Sequence, residues 1–411
     1  MRRFVLVLAA SALLAGCATP AYVRPASPAP PAWPTGAAYP PAVAGPAGLP
    51  WRDLIADEKL RAVIARMLAD NRDLRASVAN AAAARALYHV QRAAQFPALT
   101  ANASGARDHT DAAGDADNFS ASIGFSSFEI DLFGRAHDET KAQFEAYLST
   151  ESGARAARLS LVAETATAYA RFAADRELLA LARETQASAA RTVRLTQARH
   201  DSGLAGALDL EDATTILAQA QSDVAAMTTQ AAQDRNALEL LVGAPVEDSL
   251  LPSSLAALDA GVHSAPAGLS SAILLQRPDV LEAEHALKSA NYDVGAARAA
   301  FFPSISLTSA LGLASQALSD LAHGNFWSAQ AGAVAPLIGG GHGANLSYAK
   351  AKYRAAVAQY EKAVQSAFRD VADALARRGT IDDQRAAQAR LSAAAERSAT
   401  LADDRYRAGL S

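Results

Sequence analysis

The sequence predicts a mainly α fold with a small β part. Long helices pair as coiled-coil hairpins, and two β-hairpins contribute four strands. Three observations carry this. The chain repeats itself: a constant offset of 206 aligns Asp73 with Asp279, Arg92 with Arg298 and Phe96-Pro97 with Phe302-Pro303. The same offset aligns Gly134 with Gly340, Arg171 with Arg377, Arg199 with Arg405 and Gly203-Leu204 with Gly409-Leu410. Repeats of this kind set an architecture, because each copy builds the same supersecondary unit. No proline falls between 98 and 244, and residues 206–243 carry apolar residues at heptad spacing. Finally, four short segments alternate apolar and small polar residues, the period of a strand.

The chain opens MRRFVLVLAASALLAGC. Arg2 and Arg3 precede an apolar stretch, Phe4 to Leu14, that is too short to span a bilayer. Residues 1–16 therefore read as a signal peptide. Leu14-Ala15-Gly16-Cys17 places small residues before a cysteine, the pattern of a bacterial lipoprotein, so Cys17 is expected to carry a diacylglycerol. Ordinary cleavage beside an idle cysteine is the alternative. Cys17 is the single cysteine, which excludes an intrachain disulfide. Residues 17–50, rich in proline and alanine, read as a lipidated tether. A net charge of −4 supplies no basic field for nucleic acid. No apolar run long enough for a spanning helix follows the signal, so any crossing of a membrane must use strands.

Residues 51–270 form the first structural repeat: helix, β-hairpin, long helix, return helix. Residues 271–411 form the second. Asp57 to Gln95 reads as one helix and Arg135 to His200 as another, about 100 Å long at the helical rise. In the return segment Leu210, Leu217, Val224, Ala231 and Leu238 hold one seam position. Ala213, Ala220, Met227 and Leu241 hold the other, with Asp234 out of place. A plain soluble bundle gives the same pattern.

Strands are expected at Leu99 to Gly105, Phe119 to Phe125, Ile305 to Leu313 and Phe326 to Val334. The acidic stretch DHTDAAGDAD is expected as a turn, with Asp111, Asp115 and Asp117 on an external loop. Each strand has the length of a tilted membrane strand. Four strands cannot close a barrel, and lipid does not tolerate open edges. If 99–130 and 305–335 lie in an outer membrane, several chains must share one barrel. Two edge hairpins on a soluble bundle would look alike at this level.

Several stretches resemble a known family. Leu275-Gln276-Arg277-Pro278-Asp279-Val280, then Ala283-Glu284, then Val294-Gly295-Ala296-Ala297-Arg298-Ala299-Ala300-Phe301-Phe302-Pro303-Ser304-Ile305 resemble a long signature of outer-membrane efflux proteins. These are the TolC-like channel subunits, here of the lipoprotein branch serving resistance-nodulation-division (RND) and NodT-type systems. Phe128-Glu129-Ile130-Asp131-Leu132-Phe133-Gly134-Arg135 resembles the family's strand-to-helix junction, with Phe128 in place of the usual tryptophan. Trp51, Asp57, Leu60, Ile64, Asn71, Asp73 and Leu74 resemble its first-helix pattern, and Tyr22-Val23-Arg24-Pro25 its motif after the lipidation site.

The resemblance implies a homotrimer sharing a twelve-stranded outer-membrane barrel, continued by an α-helical tunnel into the periplasm. Small molecules would pass from an inner-membrane pump of RND type, through a periplasmic adaptor protein, to the exterior. The subunit would do no chemistry and need no cofactor beyond the lipid on Cys17. Arg199, Gly203, Leu204, Arg405, Gly409 and Leu410 would form the tips that dock the adaptor. Asp209 would contribute to the periplasmic constriction, where a ring of carboxylates favours cations.

Competing motifs are weak. Gly339-Gly340-Gly341-His342-Gly343 lacks the lysine and hydroxyl residue of a phosphate loop, so a turn is expected. The eight histidines form no HxxxH pair for a metal. Glu129 and Asp131 have no nucleophile beside them and read as junction residues. A coiled-coil lipoprotein scaffold without a pore remains the leading competitor. Copy two ends at Ser411, opposite Ala205, before any counterpart of 206–243. The repeat thus leads us to expect a fragment or frameshifted product with poor channel activity. In it the seam Val357, Tyr360, Val364, Phe368, Val371 and Leu375 would stand partly exposed.

Overall fold

The computed structural model describes residues 21–41, 50–111, 114–263, 268 and 270–407, with backbone alone for Tyr406 and Arg407. The helices are α1 (Trp51–Leu54), α2 (Glu58–Asp70), α3 (Arg72–Ala93), α4 (Arg135–Asp201), α5 (Ala207–Val242), α6 (Leu255–Ala260), α7 (Pro278–Ala299) and α8 (His342–Arg407). The strands are β1 (Thr100–Thr110), β2 (Gly114–Ile130), β3 (Ser304–Ser315) and β4 (Asn325–Val334). The predicted class therefore stands: mostly helix with four strands. The two hairpins are not separate. They join edge to edge, antiparallel, into one sheet of order β1-β2-β3-β4.

The chain divides into two compact units. Among the described residues, one comprises those within 21–29, 79–153 and 274–367, and the other those within 30–78, 154–273 and 368–407. The second holds an apolar core in which Leu60, Val63, Ile64 and Met67 of α2 pack with Leu161, Val162, Tyr169 and Phe172 of α4 and Leu238 and Val242 of α5. Full burial of such a side chain stabilises by about 1.5–3 kcal/mol. The Tyr169 hydroxyl is buried but donates to the Leu250 carbonyl at 2.8 Å, so that hydroxyl is not stranded.

The helix expected from Asp57 to Gln95 is broken at Asn71. That residue leaves the helical region, with ψ 129°, and its side chain works in two directions. Oδ1 accepts from the Leu74 amide at 2.7 Å and caps α3. Nδ2 donates to the Leu241 carbonyl at 2.7 Å, near the end of α5. Gly243 permits this close approach: its φ is 78°, and a Cβ there would lie 2.6 Å from the Asp70 carbonyl oxygen. The apolar period runs on across the break, which is why pattern alone did not reveal it.

In the other unit, α7 packs on the first part of α4. Ser149 donates to the Glu282 carbonyl at 2.9 Å, and His285 Nδ1 lies 2.6 Å from Glu145. Of the α8 seam, Val357, Phe368, Val371 and Leu375 are half-buried, the partial exposure expected, whereas Tyr360 and Val364 are fully buried, against expectation. Trp33 of the extended segment 21–41 stacks on Phe368 at 5.0 Å. A segment read from composition as a tether thus covers one face of Phe368.

Candidate channel wall and docking turn

Register fixes the two faces of the sheet. Ala101, Ile123, Leu311 and Trp327 stand opposite one another across the four strands, so they share a face. Ile123, Leu311 and Trp327 are exposed, Trp327 at 77%. The other face presents Thr100, Asn102, Ser104, Ser120, Ser122, Ser306, Thr308, Ser328 and Gln330, interrupted by Phe326 and Val334. Ser104 and Ser120 hydroxyls meet there at 2.8 Å. Away from the β1–β2 turn the first face is suited to hydrocarbon and the second to water, as in a barrel wall; near that turn the first face carries Arg107, His109, Asp115 and Asp117. Between Phe125 and Phe128 the β2–β3 register shifts at a bulge. Ser127 takes a positive φ of 53° there, and its amide donates to Thr308 Oγ1 at 3.0 Å.

The acidic stretch corrects the sequence reading. Only Asp111 stands in the turn; Asp115 and Asp117 belong to β2. Arg107 on β1 reaches Asp115 at 2.8 Å and Asp117 at 3.7 Å, and His109 reaches Asp115 at 2.5 Å. Opposite charges across the ladder let the strands run past the point where acidic composition suggested a loop. The spacing of Arg107 and His109 before the acids was the available signal.

At the foot of β2 the junction residues take structural roles. Asp131 accepts from the His137 amide at 2.8 Å, and Arg135 pairs with Glu129 and Glu139. Phe133 stacks on Phe302 at 4.9 Å. Gly339, Gly340 and Gly341 all have positive φ and turn the chain into α8, the turn expected of that run.

Arg199, Gly203, Leu204 and Asp209 come together in one helix-to-helix turn. Gly203 has φ 74°, the Leu204 amide donates to the Arg199 carbonyl at 2.8 Å, and the Gly203 amide to His200 at 2.9 Å. This is the left-handed glycine cap of a helix end. Asp209 Oδ2 accepts from the Gly206 amide at 2.9 Å, capping α5. Arg405 lies apart in sequence, exposed near the end of α8. Cys17, Gly409 and Leu410 lie outside the described residues.

Asp234, the seam exception, is buried on α5. Gln230 donates to its Oδ1 at 3.0 Å. A hydrogen bond shared with Asp234, together with burial, raises the neighbouring Asp175 carboxyl above its ordinary value; Arg171 opposes the rise. One of two adjacent carboxylates then favours holding a proton. Heptad reading marked the position but not its partner on α4.

Among the described residues no helix is long and apolar enough to cross a membrane. Nor do three His, Cys, Asp or Glu side chains come together there as a metal site would require. A family profile for "Outer membrane efflux protein" matches residues 63–244 and 269–411. The chain is 39% identical to the antibiotic efflux pump outer membrane protein ArpC of Pseudomonas putida, over all of this chain and 88% of that protein. A crystal structure of a membrane protein from Pseudomonas aeruginosa superposes with TM-score 0.88 at 36% identity, covering 96% of this chain and 91% of that one. The open-state outer membrane channel MtrE of Neisseria gonorrhoeae superposes with TM-score 0.83 at 32% identity, covering 95% and 88%. With the sheet, the junctions and these likenesses together, the chain belongs to the outer membrane efflux protein family.

Proposed function

We propose that this outer-membrane efflux channel subunit works as one of three identical copies, whose sheets close into a single twelve-stranded barrel. The observation that carries this is the open sheet. β1 and β4 each have one unpaired edge, while the sheet offers hydrocarbon an apolar face and water a polar one. Lipid excludes open strand edges, so further copies must cover them. The barrel opens into a helical tunnel that conducts drugs or other small molecules passively out of the cell. It performs no catalysis and holds no cofactor beyond lipid on Cys17, which anchors the mature chain in the outer membrane.

The turn at Arg199, Gly203 and Leu204, with Arg405, Gly409 and Leu410 from the second repeat, docks a periplasmic adaptor. That adaptor couples the duct to an inner-membrane pump of RND type, and Asp209 carboxylates line the periplasmic constriction. A pore-free scaffold has no use for a two-faced sheet with paired charges at its far end. The test is the detergent-solubilised complex: a heat-modifiable trimer that conducts in planar bilayers supports the duct. A stable monomer without conductance contradicts it.

A further inference from the structure

The internal repeat and the sheet together identify an unfilled contact. Within one chain, the junction after β2 packs against the Phe-Pro pair before β3, where Phe133 stacks on Phe302 at 4.9 Å. That contact exists because β2 and β3 are neighbours. The offset of 206 carries Phe302-Pro303 back onto Phe96-Pro97, and the junction around Leu132 forward onto Leu337-Ile338. Backbone geometry agrees with this mapping: Gly134 and its counterpart Gly340 have φ of 80° and 71°. Yet the second contact is not made within the chain. Phe302 is half-buried, whereas Phe96 is 63% exposed. Leu337 and Ile338, just beyond β4, are 90% and 99% exposed. Apolar side chains this bare, at equivalent ends of two open edges, mark a surface awaiting a partner.

We infer that Leu337 and Ile338 of one copy pack over Phe96 of the next, an apolar clasp that repeats between chains the contact Phe133 makes with Phe302 within a chain. The inference rests on the shared-barrel reading, in which β4 of one copy neighbours β1 of the next. The clasp lies at the foot of that seam, where Gly339 occupies the position of Phe133 and leaves the apolar surface to Leu337 and Ile338. It buries four flanking apolar residues, with Leu99 beside Phe96, at the point where the seam leaves the sheet.

The experiment uses the full chain in outer membranes, with Cys17 blocked by lipid. Chains carrying Phe96→Cys alone and Ile338→Cys alone are co-expressed and oxidised. A covalent dimer in the mixture, and in neither variant by itself, is the expected result. A chain with both substitutions should yield a ladder ending at covalent trimer. A detergent-stable trimer that gives no covalent band overturns the clasp while leaving the shared barrel standing; a monomer overturns both. Reaction of Ile338→Cys with a lipid-phase maleimide in place of crosslinking assigns these residues to the bilayer and also overturns the proposal.

Discussion

Arg24 grips Glu284 across 260 residues of sequence. Its Nε and Nη2 donate to Oε1 at 3.1 and 2.9 Å, and Nη2 also to Oε2 at 2.8 Å. Glu284 on α7 is 2% exposed, and Lys288 reaches it at 3.2 Å. Two motifs that stand far apart in the sequence, the Tyr22-to-Pro25 run and the Ala283-Glu284 pair, are thus one ion pair.

Loss of either partner should destabilise the subunit unequally. Arg24→Ala leaves a buried carboxylate short of donors and should cost about 2 kcal/mol. Adding Glu284→Gln removes the stranded charge and should recover part of that loss, as a double-mutant cycle of denaturation midpoints would show. Burial alone would raise the Glu284 carboxyl, but hydrogen bonds from Arg24 and Lys288 outweigh it and hold the group below its ordinary 4.5. A depressed carboxyl stabilises fully above its unfolded value. The contribution should therefore be complete above about pH 4.5 and disappear as the pH falls through the folded value.

Asn71→Ala removes both a helix cap and a buried link to α5. Caps of this kind contribute roughly 1 kcal/mol, and the lost bond to Leu241 should add a similar amount. Gly243→Ala should be worse, since it meets both positive φ and the Asp70 carbonyl. Urea midpoints of the purified variants measure both effects.

Asp234→Asn should stabilise. It removes one of two facing carboxylates by roughly 1 kcal/mol. A carboxyl raised in the folded state, as Asp175 is, stabilises below its unfolded value and loses that contribution as the pH rises through the folded value. The gain from Asp234→Asn should thus be larger at pH 7 than at pH 4. An equal gain at both would sever the effect from the carboxylate pair.

Gly203→Val places a β-branched residue at φ 74° and should cost roughly 1–2 kcal/mol locally. Trimer yield should hold while efflux falls, because the turn is remote in sequence from every strand. Drug susceptibility in a strain lacking its own outer-membrane factor reads this out, and unchanged resistance would remove the turn from docking.

What the sequence made legible was local: periodicity, the placing of glycine and the absence of proline. The long helix α4 lies in the proline-free stretch, the turn follows Gly203, and the return helix and the strands lie where heptads and strand-length segments placed them. What it hid depended on contacts distant in sequence. Asn71 breaks a helix whose apolar period is uninterrupted, because its partner is Leu241. Asp115 and Asp117 sit in a strand because Arg107 and His109 face them. Phe368 on α8 is stacked by Trp33, from a segment whose proline and alanine content gave no sign of that contact. Asp209 was legible as a carboxylate near a turn, and its bond to the Gly206 amide gives it a structural task there.

On the proposed reading, this sheet is the wall of a water-filled barrel in the outer membrane. Cysteine scanning along β2, from Phe119 to Gly124, tests it most directly. In intact outer membranes a water-soluble maleimide should label Ser120→Cys and Ser122→Cys, while Phe119→Cys and Ile123→Cys react only with a lipid-phase reagent. Uniform labelling of all four by the water-soluble reagent would contradict the account and return the sheet to the edge of a soluble bundle.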